Sequence, residues 1–248
     1  MRKIVLVTGA SRGIGAATAR LAAERGDAVC VNYRTGREAA EAVAGEIVRA
    51  GGEAIAVAAD VSVEGDVVRL FEEVDRLLGR IDGLVNNAGV LERQTRVEQM
   101  DAARIARVLA TNVTGSFLCA REAVRRMSTK RGGRGGAIVN VSSAASRIGS
   151  PNEYIDYAAS KGAIDTLTIG LAKEVATEGI RVNAVRPGII DTDIHASGGE
   201  PNRVERVKAS IPMKRGGSAE EVARAILWLL SDEASYTSGA ILDVAGGR

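Results

Sequence analysis

Short β-branched runs alternate with helix-patterned segments along this chain, and that rhythm restricts its fold more than any single motif. Residues 4–7, 29–31, 54–58, 84–85, 137–141, 180–185 and 240–244 read as strands. Between them the apolar spacing shifts to three and four. This predicts helices over 13–25 (closed by Gly26), 38–49, a segment capped by Ser62 and ending near Gly79, 101–127, a segment carrying Tyr157, and 219–230. Strict alternation of this kind builds a parallel sheet with right-handed crossovers and helices on both faces. The composition agrees, because 46% of the 248 residues are hydrophobic and only 3% are aromatic. Ala, Val, Ile and Leu must then fill a core that covers each strand twice. The expectation is an α/β chain, one doubly wound domain over 1–248 with a seven-stranded parallel sheet. Residues 188–217 break the rhythm, hold Pro201 and Pro212, and are expected to form one or two short helices in a substrate lid.

Charge argues against two function classes. With 33 basic and 31 acidic residues the net charge is +2, which supplies no global attraction for nucleic acid or a membrane surface. The local run Lys130-Arg131-Gly132-Gly133-Arg134 reads as a solvated loop. No apolar stretch approaches the roughly 18 residues a membrane helix needs. The first residues run straight into the first strand with no signal-peptide pattern, and Cys30 and Cys119 sit in apolar contexts as reduced core residues. A cytoplasmic protein is expected.

Thr8-Gly9-Ala10-Ser11-Arg12-Gly13-Ile14-Gly15 lies between the first strand and the first helix. Glycines there let the backbone turn sharply and approach a pyrophosphate, which the helix N-terminus attracts. The spacing, Gly-x-x-x-Gly-x-Gly, departs from the more familiar Gly-x-Gly-x-x-Gly. A dinucleotide fold preferring NAD places an acid about 20 residues further on, against the ribose hydroxyls. Here that stretch is Asn32-Tyr33-Arg34-Thr35-Gly36-Arg37, which contains no acid. Arg34 and Arg12 can instead pair with a 2′-phosphate, so NADP is favoured as cofactor.

Tyr157 and Lys161 lie four positions apart in a helical pattern and so share one face. An ammonium near a phenol favours the phenolate and pulls the phenol's pKa down, which prepares it to exchange a proton with a carbonyl or an alcohol. Asp60-Val61, Asn86-Asn87-Ala88-Gly89, Asn140-Val141-Ser142-Ser143 and Pro187-Gly188 follow strands three to six in order. Taken with the glycine turn and the Tyr–Lys pair, this set resembles the short-chain dehydrogenase/reductase family over essentially the whole chain. The similarity is greatest to 3-oxoacyl carrier protein reductase-like and glucose 1-dehydrogenase-like members.

The resemblance implies a Rossmann fold and a set of roles. Tyr157 would be the general acid/base, with Lys161 tuning it and holding the nicotinamide ribose. Ser143 would bond the substrate oxygen, and Asn112 would complete the tetrad by anchoring a relay water. Gly9, Ser11, Gly13, Ile14 and Gly15 would take the pyrophosphate, with Arg12 among them for the 2′-phosphate. Asp60 and Val61 would flank the adenine, Asn87, Ala88 and Gly89 would line the cleft, and Pro187, Gly188 and Thr192 would meet the nicotinamide end. Hydride would pass between nicotinamide and a carbonyl carbon, with no metal required. The gap from Ser143 to Tyr157 is fourteen positions where many members have thirteen. Either residues 150–156 bulge or the serine role shifts to Ser142; the Asn-x-x-Ser pattern favours Ser143.

The alternative is a sensor that binds the cofactor without catalysis, and relatives of that kind usually lack the tyrosine or the lysine. Arg93 and Arg147 are candidates to hold an anionic substrate, although each also reads as a surface cation. His195, the only histidine, reads as a surface or structural residue. A homotetramer is expected from the family.

Overall fold

The computed structural model describes residues 2–248, apart from the side chain of His195. Seven parallel strands form one sheet: β1 (Ile4–Val7), β2 (Ala28–Tyr33), β3 (Glu53–Ala58), β4 (Gly83–Asn86), β5 (Gly136–Val141), β6 (Ile180–Pro187) and β7 (Ile241–Val244). Their order is β3-β2-β1-β4-β5-β6-β7. The order reverses between β1 and β4, where Val7 pairs with Val31 on one side and Val85 on the other. Crossovers leave the C-terminal ends of these two strands toward opposite faces, so a crevice opens there.

Strand alternation divides the core in two. Val5, Val7, Val29, Val31, Val139 and Val185 face α1 (Gly13–Glu24), α2 (Arg37–Arg49) and α10 (Ala219–Leu230). Leu6, Cys30, Leu84, Ile138 and Val182 face the other way, toward α3 (Glu64–Leu77), α5 (Gly115–Met127) and α7 (Ile155–Val175). Both strand faces are therefore apolar, which is why the strands read as unbroken runs. The helices carry matching stripes, such as Val67, Leu70, Phe71 and Val74 on α3. Ser218 and Glu221 start α10 with a capping box.

Two local expectations change. Ser62 does not cap α3: Val63 stands at that position, and Ser62 spends its N–H and hydroxyl on Asp60 Oδ1 (2.9 and 2.6 Å). The carboxylate two residues back is the stronger acceptor for both groups. The long helix over 101–127 is interrupted. It divides into α4 (Ala102–Leu109), a π-helical turn (Ala110–Thr114) and α5. Beyond β5 come α6 (Ala145–Ile148) and α7, and the excursion over 188–217 contains α8 (Ile194–Ser197) and α9 (Arg203–Val207). No helix among the described residues is long and apolar enough to cross a membrane. The basic loop is largely neutralised, with Lys130 paired to Glu178 (3.2 Å) and Arg134 to Asp82 (3.0 Å).

Candidate active site

The turn after β1 depends on glycine at two points. Gly9 has φ +61°, and a Cβ there would lie 2.9 Å from Ala88 Cα; at Gly15 it would lie 2.5 Å from Asn87 Nδ2. Asn87 causes this crowding because it ties the turn to the end of β4. Its amide donates to Thr8 O (2.8 Å) and Gly9 O (3.0 Å). Asn32, at the tip of β2, accepts from the Gly9 N–H (3.2 Å) and donates to Ala59 O (3.2 Å). The first turn of α1 has no side-chain cap, so its N–H groups remain available to an anion.

A cavity of about 410 Å³ lies over this turn, lined by Gly9, Ser11, Arg12, Gly13, Ile14, Arg34, Asp60, Val61, Asn87, Ala88, Gly89 and Thr192. It shares Ile14, Asn87, Gly89 and Thr192 with a second cavity of about 460 Å³, which adds Ser143, Tyr157, Lys161, Pro187 and Gly188. Gly15 alone of the predicted cofactor residues lines neither, being packed beneath against Asn87. An elongated cleft with an uncapped helix N-terminus at its middle and exposed arginines at one end fits a dinucleotide. Arg34 is half exposed and only 3.8 Å from Asp60 at its nearest charged atom, a loose pairing that leaves it free to turn toward a phosphate.

At the reacting end, Ser143 and Tyr157 line the same cavity, and the serine is the polar neighbour that acts on the phenol. Ser142 points away, its hydroxyl 2.7 Å from Asp165 Oδ1 and 3.2 Å from Lys161 O. The extra residue before Tyr157 is absorbed in a bulge where Ser150 (φ +45°) and Asn152 (φ +63°) adopt left-handed backbone. Lys161 is buried, donates to Val141 O (2.7 Å), and stands 5.5 Å from the centre of the Tyr157 ring. Burial pushes its ammonium down to about 8, against the opposing pull of Asp165. Burial also raises the Tyr157 phenol above its ordinary value, with Ser143 acting the other way. The expected depression of the phenol by the ammonium is thus not met in this structure. Desolvation outweighs it, and the lysine's nitrogen is committed to a carbonyl.

The Asn112 side chain sits in the π-helical turn with no exposure. Its Oδ1 accepts from Val90 N–H (2.7 Å), and its Nδ2 donates to Val90 O (3.1 Å) and Ser160 Oγ (3.0 Å). The amide therefore pins the loop after β4 to the helix that carries Tyr157, and a π-bulge is a recurrent device at functional sites.

Sequence reasoning missed the charges that support the site. Arg104 on α4 donates to both oxygens of Asp156 (2.7 and 3.3 Å), with side chains 11% and 3% exposed, and Asp156 accepts from the Tyr157 N–H (2.9 Å). Arg186 on β6 holds Asp165 (2.8 Å). Arg203 reaches Glu153 (2.5 Å) from the 188–217 excursion. The one available signal was an acid beside the tyrosine; its partner lies 52 positions away. Arg147, considered above for an anionic substrate, is paired with Asp243 (3.1 Å). His195 belongs to α8, and its side chain lies outside the described residues.

A family model described as enoyl-(acyl carrier protein) reductase matches residues 9–248. The chain is 62% identical over 245 residues to the uncharacterized oxidoreductase YgfF of Escherichia coli, covering 99% of both. It is 43% identical over 246 residues to the cis-4-hydroxycyclohexanecarboxylate dehydrogenase of Sinomonas cyclohexanicum, covering 99% of this chain and 96% of the other. A 3-oxoacyl-[acyl-carrier-protein] reductase of Synechocystis is 41% identical over 246 residues, with the same coverage.

Proposed function

Because this chain belongs to the short-chain dehydrogenase/reductase family, we propose that it is an NADP(H)-dependent oxidoreductase acting on a carbonyl/alcohol pair, with Tyr157 as general acid/base. The observation that carries this reading is that Ser143, Tyr157 and Lys161 line one cavity, which shares Ile14, Asn87, Gly89 and Thr192 with the cavity over the glycine turn. The bound nicotinamide would supply or accept the hydride; the chain supplies position and protons. Ser143 donates to the substrate oxygen as negative charge develops there, the preorganised-donor effect. Tyr157, a phenol that holds its proton at neutral pH and holds it more firmly when buried, gives that proton to the oxygen in the reductive direction. Lys161 presents its ammonium beside Gly89, where an added Cβ would stand 3.6 Å from its Nζ, a position from which it would hold the ribose of a bound cofactor.

Arg34 and Arg12 favour the phosphorylated cofactor, with no acid at the end of β2 to bind an unmodified ribose. The test is loss of nicotinamide absorbance with NADPH and NADH over a panel of ketones and aldehydes, with Tyr157→Phe and Arg34→Gln beside the wild type. Turnover should vanish in Tyr157→Phe, and Arg34→Gln should raise KM for NADPH roughly tenfold or more while sparing NADH. Equal use of both cofactors by the wild type would refute the NADP assignment.

We also place the protein in the cytoplasm as a homotetramer, with residues 188–217 as the substrate lid. Burial pushes the Cys119 thiol up to about 12, and both cysteines are buried, inert residues suited to a reducing compartment. Ile105, Leu109, Phe117 and Ile169 are exposed on α4, α5 and α7, the helices through which relatives of this family assemble. Light scattering giving a monomer mass would refute that assembly.

A further inference from the structure

The 188–217 segment leaves the sheet after β6 and is closed at its base, where Asp191 and Gly217 N–H groups donate to Gly217 O and Ile189 O (2.9 Å each). From α9, Arg203 reaches back toward the cleft with only 8% of its side chain exposed. It donates to Glu153 Oε2 (2.5 Å) and Glu200 Oε2 (2.9 Å), and its guanidinium carbon lies 4.9 Å above the Tyr154 ring. Arg206 donates to the same two carboxylates (3.2 and 2.7 Å), and Gln94 donates to Glu200 (2.6 Å). The backbone is equally close: a Cβ on Gly198 would meet Leu91 Cδ2 at 2.9 Å and Tyr154 Oη at 3.2 Å. Glu153 and Tyr154 follow directly on left-handed Ser150 and Asn152, so the bulge that lengthens the Ser143–Tyr157 gap presents them to Arg203.

The charge of Arg203 is spent on two carboxylates and is not offered to a substrate. Leu91, Ile148, Tyr154, Ile189 and Ile194 supply apolar surface to this cavity, which Glu153 and Arg248 also line. We propose that Glu153, Tyr154 and Arg203 determine specificity: they fasten the 188–217 segment as a roof over the reacting end of the cleft and restrict the substrate to compact carbonyl compounds with apolar substituents. The substrate part of this proposal rests on the carbonyl-reductase reading of the cleft; the roof itself does not.

The test uses the full chain carrying Arg203→Met, Glu153→Gln and the pair together. Arg107→Met serves as control, since its partner Glu92 is in a solvent-exposed pair. Hydrogen exchange of residues 194–207 reads the roof without any turnover. Exchange should quicken in each single variant, and the double variant should quicken by less than the two single effects combined, because both changes break the same Arg203–Glu153 pair. Reduction of cyclohexanone and 4-phenylcyclohexanone reads specificity. The ratio of kcat/KM for the larger ketone over the smaller should rise roughly tenfold in Arg203→Met, the scale of hydrophobic pocket discrimination. Glu153→Gln keeps the side chain's shape and so guards against a folding defect in Arg203→Met. Unchanged exchange in both single variants, or an unchanged ratio with active enzyme, would overturn the proposal. If the wild type reduces neither ketone while reducing other carbonyl compounds, the substrate part of the proposal is overturned; if it reduces no carbonyl compound at all, the activity reading fails and the roof is judged on exchange alone.

Discussion

Adjacent serines at the end of β5 should fail in opposite ways when each is replaced by alanine. Ser142 is 1% exposed and has one hydroxyl hydrogen to give. Asp165 Oδ1 at 2.7 Å takes it in preference to Lys161 O at 3.2 Å. Ser142→Ala leaves that buried oxygen without its donor, while Arg186 still serves the other oxygen at 2.8 Å. Loss of a hydrogen bond to a charged group costs about 1.5–3 kcal/mol. In a chain of this size that is a fall in Tm of about 3–12 °C. Turnover should change little, because the hydroxyl faces away from the cleft. The Ser143 hydroxyl lies in the cavity lining with Tyr157 and accepts from the Ala145 N–H (3.1 Å). Ser143→Ala should cost about 1 kcal/mol of stability or less. It should lower kcat/KM roughly 100- to 1000-fold, as loss of one oxyanion donor does. Thermal melts and steady-state rates on the two variants separate these effects. If Ser142→Ala lost the rate with its melt unchanged while Ser143→Ala was harmless, the placement of the two hydroxyls would be wrong.

Two further outcomes follow from the buried charges. Arg104→Met should destabilise the chain by about 3–5 kcal/mol, because it strands the Asp156 carboxylate. Adding Asp156→Leu should recover most of that loss in a denaturant titration, since a well-packed apolar pair can replace a buried ion pair. The Lys161 ammonium, pushed down to about 8 by burial, gives a pH signature. Its charged form is penalised in the folded chain below about pH 8, and the penalty is relieved as pH rises toward the ordinary 10.5. The wild type should therefore gain stability relative to Lys161→Met across that window. Over the same rise its NADPH affinity should weaken as the charge is lost, which titration calorimetry at several pH values would reveal.

Two features of local sequence carried the fold. Runs such as Ile4-Val5-Leu6-Val7 are apolar on both pleat faces, and the α3 stripe of Val67, Leu70, Phe71 and Val74 is apolar on one. Each states its element and its degree of burial within a few residues, so the seven strands and their parallel arrangement could be read directly. The site was legible for a related reason. In a doubly wound sheet the ends of successive strands converge on the crevice, so motifs placed after strands must meet there. Where local chemistry competed with a pattern, legibility stopped: Asp60 drew Ser62 away from its cap, and a π-helical turn interrupted an unbroken helical periodicity at Asn112.

The sequence by itself determined the alternation, the position of the glycine turn, the absence of an acid at the end of β2, and the helical spacing of Tyr157 and Lys161. Tertiary structure alone decided which serine hydroxyl is spent on Asp165, that burial raises Tyr157 and lowers Lys161, and that Arg104 and Arg203 hold the chain on either side of Tyr157. These decisions rest on desolvation and on pairs 50 and 52 positions apart. A short-range pattern encodes which face of an element is apolar; it does not encode which distant charge will be brought against it, or how far from water the two will lie.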